Sequence, residues 1–177
     1  DGEKGRKIME KKKPINLKGV PETMLQTLYA RAKESKKEDH VIYDEKAIEI
    51  AAELDYDFTK ADEDAPMASG VIARTIVLDQ MVGEFLEKNP GAVVVNIACG
   101  LDTRCYRMTG RYKRWYNVDL TETMQVRERF LNENGPIYQI AGSAMDASYA
   151  GAISYDGEPV LVIIEGLTMY LSEQEVK

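Results

Sequence analysis

The chain has 177 residues, 44% hydrophobic and 30% charged, with a formal net charge of -7. This length and balance predict one soluble globular domain with a sizeable core, and no apolar run approaches the roughly 20 residues that span a bilayer. The charge is uneven: residues 1–40 hold 11 Lys/Arg against 7 Asp/Glu, and the remainder 12 against 23. An acidic body argues against a nucleic-acid partner, whose affinity comes mostly from basic contacts to phosphates.

Along the chain, Asp1 to Lys7 lack the apolar core of a signal peptide, so a cytoplasmic location is expected. Lys11-Lys12-Lys13 reads as part of a solvated, flexible basic tail over residues 1–14. A helix is predicted from Pro21-Glu22 to about Lys37, with Met24, Leu25, Leu28 and Ala32 on its buried face. His40, the single histidine, falls in a charged loop, which leaves little for a Ser/His/Asp or Cys/His triad. A short helix follows over Glu45 to Leu54, and then an acidic loop from Asp55 to Pro66, with Pro66 blocking helix just before it. A longer helix is expected over about Ala68–Glu87, with Ile72, Ile76, Val77, Met81 and Phe85 as its apolar stripe. Arg74 lies off the centre of that stripe and by itself reads as a solvated charge.

From residue 91 the pattern changes to strand, helix, strand. Val93 to Ala98 is a buried strand that breaks into the small-residue turn Ala98-Cys99-Gly100, where a backbone can come close to a ligand. A short helix near Asp102–Met108 leads to a second strand over 115–119, which closes on Asp119. An acid about twenty residues beyond such a turn is placed to accept from both hydroxyls of a ribose, so this unit reads as nucleotide-binding. Thr121 is expected to cap a helix over Glu122–Asn132. A third strand follows at 137–141, and then Pro159–Ile164, an apolar run of the kind buried on both faces of a parallel sheet. That run ends on Glu165, a charge that is costly there unless it is used. Ser172 to Glu175 forms a capping box, so a helix is starting near residue 177, and the last strand would be left partly bare. The chain is therefore expected to be the first part of a longer domain. Cys99 and Cys105, six apart, make no disulfide framework, and with no histidine near they make no metal site.

Asn-x-x-x-Gly-Leu-Asp-Thr-Arg (96–104), Val-Asp-Leu (118–120) and Glu-Gly-Leu-x-Met-Tyr-Leu-x-x-x-Glu-Val (165–176) occur in order. Upstream lie Glu-Thr-Met-Leu-x-x-Leu-Tyr-Ala-Arg-Ala-Lys-Glu-Ser (22–35), Ala-Ile-Glu-Ile (47–50), Asp-Tyr-Asp-Phe (55–58) and Ala-Arg-Thr (73–75). This ordered set, over about residues 15–177, resembles the leucine carboxyl methyltransferase family, most closely its bacterial polyketide-type O-methyltransferase branch. The resemblance implies an α/β, doubly wound, mostly parallel Rossmann-like sheet from residue 91, an N-terminal helical cap over 15–90, and S-adenosyl-L-methionine as cofactor. In the family further strands close the sheet beyond this point.

Carried over by motif, Ala98 and Gly100 would line the turn at the methionine end of the cofactor and Asp119 would hold the ribose hydroxyls. Arg74 would pair with the cofactor carboxylate, Glu165 would receive its amino group, and Ser143-Ala144 would line the adenine. Two positions depart from the family. Ala98 replaces the first turn glycine, which is tolerable only where positive φ is not needed. Ser143 stands where an acid is usual, with Asp146 as a candidate substitute.

The resemblance implies O-methylation of a carboxylate or hydroxyl on a small molecule, with a protein C-terminus as a further carboxylate acceptor, and the sequence is compatible with a homo-oligomer. A carboxylate acceptor requires no general base, in accord with a chain almost devoid of histidine, and no catalytic residue is assigned. Two alternatives stay open. One is a truncated or non-catalytic cofactor-binding member of the family. The other is a nicotinamide-dependent oxidoreductase, disfavoured because Asp102 and Thr103 stand where the Gly-x-Gly-x-x-Gly turn wants small residues.

Overall fold

The structure, a computed structural model, describes residues 21–176, so the basic tail over 1–14 lies outside the described residues. Four helices come first: α1 (Glu22–Ser35), α2 (Glu45–Glu53), α3 (Thr59–Glu63) and α4 (Ala65–Lys88). Four strands follow, β1 (Val93–Ile97), β2 (Arg114–Asp119), β3 (Ile137–Ala141) and β4 (Val160–Ile164), joined by α5 (Arg104–Arg107), α6 (Thr121–Phe130) and a 3-10 turn over 147–152. The short α7 (Glu173–Val176) follows β4.

The three pairings between these strands are parallel and the spatial order is β3-β2-β1-β4. The chain winds outward from β1 to β3 and then crosses back to place β4 on the other side of β1. That reversal creates a crevice outside the carboxyl ends of β1 and β4, where ligands bind in doubly wound sheets. The architecture is a Rossmann-like, doubly wound α/β fold.

The first helix carries the expected face: Met24, Leu25, Leu28 and Ala32 are buried. They pack with Ile50 of α2, with Leu54 just after it, and with Leu101 and Val126. Asp44 starts α2 by accepting from the Ala47 N–H at 3.0 Å. The expected acidic loop contains α3, whose start is held by the Asp57 carboxylate on the Thr59 N–H at 3.0 Å.

Three expectations about the helices are corrected. Pro66 does not block a helix; it sits in the first turn of α4, where the missing N–H costs nothing, and Asp64 caps that turn through the Met67 N–H at 2.9 Å. The buried face of α4 is Val71, Thr75, Val82, Gly83 and Leu86, whereas Ile76, Val77 and Met81 are 40%, 56% and 60% exposed. The helix is apolar on two sides, and periodicity alone does not choose between them. Thr121 is the first residue of α6 and not its cap; the cap position is Leu120, with no side-chain cap bond.

The strands form the centre. Every residue of β1 is buried. Val94 packs with Trp115 and Ile163 against Val82 and Leu86 of α4. Val95, Ile97 and Val118 face the other way, towards Tyr149 and Ile153. The fourth strand departs from the expectation of burial on both faces. Ile163 is buried, but Val160, Val162 and Ile164 are 42%, 53% and 53% exposed, because β4 is an edge and nothing described covers its second face.

Candidate functional site

The turn after β1 is built from its carbonyls. Arg127, fully buried, donates through Nη1 to the carbonyls of Gly100 at 3.1 Å and Asp102 at 2.7 Å. Its Nη2 pairs with the equally buried Glu133 at 2.6 Å. Arg31 of α1 donates to the Leu101 carbonyl at 2.8 Å. With these oxygens held from behind, the Gly100 N–H points forward and donates to Asp119 Oδ2 at 2.7 Å. Gly100 has φ +51°, and a Cβ there would lie 3.1 Å from Met24 Cγ, so the position wants glycine. Ala98 also has positive φ, +53°. The condition under which alanine replaces the family glycine without penalty is therefore not met.

Asp119 ends β2 beside this turn. Its Oδ1 accepts from the Leu120 N–H at 2.7 Å, so each oxygen uses one acceptor position on backbone. A carboxylate has about four such positions, which leaves about two for further donors.

Across the crevice, Arg74 Nε of α4 pairs with Glu165 Oε1 at 2.6 Å. The other Glu165 oxygen accepts from Arg104 Nη2 at 2.9 Å. Arg104 is almost completely buried and reaches three carboxylates in all. Its Nε donates to Asp79 of α4 at 2.7 Å and its Nη1 to Asp102 at 2.8 Å. Asp102 is further fixed by Asn96 Nδ2 at 2.9 Å. The network continues through Arg107, which pairs with Asp79 at 2.6 Å and Asp44 at 2.8 Å, to Arg31, 3.0 Å from Asp44. Burial alone would raise Asp102 and Asp44, but the flanking guanidiniums outweigh it and hold both carboxyls below their ordinary value of 3.8.

Of the residues singled out in the sequence, Arg74, Ala98, Gly100, Asp119, Ser143, Ala144 and Glu165 line one cleft of about 990 Å³. That is the size of a site that engulfs a cofactor. The structure does not bring Asp146 to it: the Asp146 carboxylate accepts from the Ser148 N–H at 3.0 Å and starts the 3-10 turn. Met145 and Leu120 line the cleft in that region. Cys99 also lines it, and burial pushes its thiol well above the usual range, which disfavours the thiolate. Burial likewise pushes Cys105 up to about 12. His40 is exposed, 3.0 Å from the Lys37 carbonyl, and does not line the cleft.

Sequence reasoning passed over Arg31, Asp44, Asp79 and Arg107, and assigned no site role to Arg104 or Asp102. A signal was present. For Arg31 it is the spacing: the residue lies three after Leu28 and seven after Met24, on the buried stripe of α1. A charge on an apolar stripe needs a buried partner.

The sequence matches the leucine carboxyl methyltransferase family over residues 24–177. The chain belongs to that family. It is 35% identical over 162 residues to the tetracenomycin polyketide synthesis O-methyltransferase TcmP of Streptomyces glaucescens, covering 91% of this chain and 60% of that protein. It is 32% identical over 177 residues to the S-adenosyl-L-methionine-dependent methyltransferase dpfgK of Gibberella zeae, covering 92% and 59%. The chain thus spans about three fifths of the length of these family relatives.

Proposed function

We propose that this chain binds S-adenosyl-L-methionine in the cleft at the carboxyl ends of β1, β2 and β4, and forms the cofactor-holding part of an O-methyltransferase acting on a small molecule. One observation carries the reading: a matched acid–base pair, Arg74 and Glu165, shares the cleft with the Gly100 turn and the acid that ends β2. The cofactor's amino-acid end is a zwitterion, and an adjacent guanidinium and carboxylate complement both of its charges. Arg74 would take the carboxylate, Glu165 the ammonium, and the spare acceptor positions of Asp119 the two ribose hydroxyls. Ser143 and Ala144 would line the adenine together with Leu120 and Met145.

When bound, this cofactor supplies an electrophilic methyl group on a sulfonium. The protein's share is then to orient the methyl in line with the acceptor oxygen and to exclude water. Among the described residues no histidine lines the cleft, and of its four carboxylates Asp102 and Glu165 are engaged by arginines, Asp119 by backbone N–H groups and Glu22 by the Tyr56 hydroxyl. This supports an acceptor that arrives already ionised, a carboxylate, over a hydroxyl that would need a base.

Calorimetric titration of the 177-residue chain with S-adenosyl-L-methionine tests the reading, with NADH as control. Asp119→Ala removes charge-assisted bonds worth about 1.5–3 kcal/mol each and should weaken binding about 100-fold or more. A folded chain that ignores the cofactor overturns the proposal. NADH binding that depends on Asp119 would favour the oxidoreductase instead.

A further inference from the structure

Arg104 is an unusual investment for a helix of four residues: a guanidinium 1% exposed, holding carboxylates from three separate parts of the chain. Its three partners are not equivalent. Asp102 is its own neighbour in the turn, and that bond only orders the loop. Asp79 belongs to α4, the helix that also carries Arg74, five residues away and so about 7.5 Å along the axis. Glu165 follows β4 directly. One side chain, itself lining the cleft, therefore grips both the element bearing Arg74 and the side chain paired with Arg74. Arg107 doubles the hold on α4 through Asp79, at 2.6 and 2.9 Å, but does not reach Glu165.

From this geometry we infer that Arg104 is a positioning residue: it sets the spacing between Arg74 and Glu165, and thereby the recognition of the ligand's amino-acid end. The inference rests on the proposed cofactor reading and deepens it. The physical reason lies in competition. Left to itself, the partly exposed Arg74 would hold Glu165 as a closed pair, each satisfying the other. Arg104 claims the second Glu165 oxygen and one oxygen of Asp79. Glu165 then stays in place when Arg74 turns to a ligand carboxylate, and keeps an oxygen directed at the ligand ammonium. A planar guanidinium with five donors in fixed directions does this; a lysine, one mobile point charge, does not.

The test compares two ligands that differ only where Arg104 is inferred to act. S-adenosylhomocysteine carries the amino-acid end; 5′-methylthioadenosine keeps the nucleoside and thioether without it. Binding of both to the full chain is measured calorimetrically for wild type, Arg104→Lys, Arg104→Gln, Glu165→Gln and the double variant Arg104→Gln/Glu165→Gln. S-adenosylhomocysteine affinity should fall about tenfold to a hundredfold in Arg104→Gln, less in Arg104→Lys, with 5′-methylthioadenosine unchanged within about twofold. In the Glu165→Gln background the Arg104 substitution should add little further loss. Equal losses for the two ligands would show Arg104 to be merely structural and overturn the inference. Full additivity with Glu165→Gln would do the same. If Arg104→Gln does not fold, Asp79→Asn decides, since it releases the α4 side of the same grip: a loss confined to S-adenosylhomocysteine supports the inference, and an equal or absent effect overturns it. A wild type that binds neither ligand would instead sink the cofactor reading itself.

Discussion

At Ala98 the backbone conformation and the residue disagree. An L-residue with a Cβ in the left-handed region costs about 1–2 kcal/mol, while glycine gives back roughly 0.5–1 in unfolded-state entropy. Ala98→Gly should therefore stabilise the chain by about 1 kcal/mol, read as a higher urea midpoint at constant slope. A loss of stability would show that the turn relaxes to negative φ. The buried carboxyls give a second prediction. Asp102 and Asp44 have pKa values below the ordinary 3.8, so they bind fewer protons folded than unfolded near that pH. Their contribution is complete above the ordinary value and is lost as pH falls through the folded one. The urea midpoint should be flat from pH 8 to about 5 and fall below about pH 4. Asp102→Asn, which leaves Arg104 short of a partner, should cost about 3–5 kcal/mol at pH 7 and make that acid limb shallower. An acid limb as steep as wild type would clear Asp102 of the role.

Individual elements show local signals yielding to the site. The start of α6 illustrates this: Leu120 occupies the cap position without a capping bond and stands 53% exposed in the cleft. Leu120→Asn should add about 1 kcal/mol to stability through a cap, and weaken cofactor binding by removing an apolar wall. Melting and titration should thus move in opposite directions; a variant improved in both would remove Leu120 from the proposed cofactor wall. The longest helix, α4, carries the same lesson on a larger scale. Its 24 residues present one face to the sheet and leave Val77 and Met81 outside, and Asp79 on its inner side is held by Arg104 and Arg107. Helical periodicity was legible in the sequence. Which face is buried was not, since that depends on partners 25 and 28 residues away.

For the molecule as a whole, β4 presents Val160, Val162 and Ile164 on one uncovered face of an edge strand. Such a stripe is a template for association. The 177-residue chain should self-associate with rising concentration in sedimentation, and Val162→Lys should shift it towards monomer without lowering its helix content. Strictly concentration-independent sedimentation would contradict this. Among the described residues no helix is long and apolar enough to cross a membrane.

By itself the sequence determined what is local. The β-branched run into Ala98-Cys99-Gly100, the strand closing on Asp119 and the capping box at Ser172 each rest on neighbouring residues, and the ordered motifs carried the family. The tertiary structure alone decided what depends on distant pairing. Arg74 meets Glu165 across 91 residues, and Arg31 reaches the Leu101 carbonyl across 70. Asp146 starts its own turn and does not line the cleft, and the apolar run of β4 became an exposed edge. The reason is the same each time. Propensity and spacing are properties of a segment, whereas the partner of a buried charge and the cover of an apolar face belong to whatever the fold brings beside them.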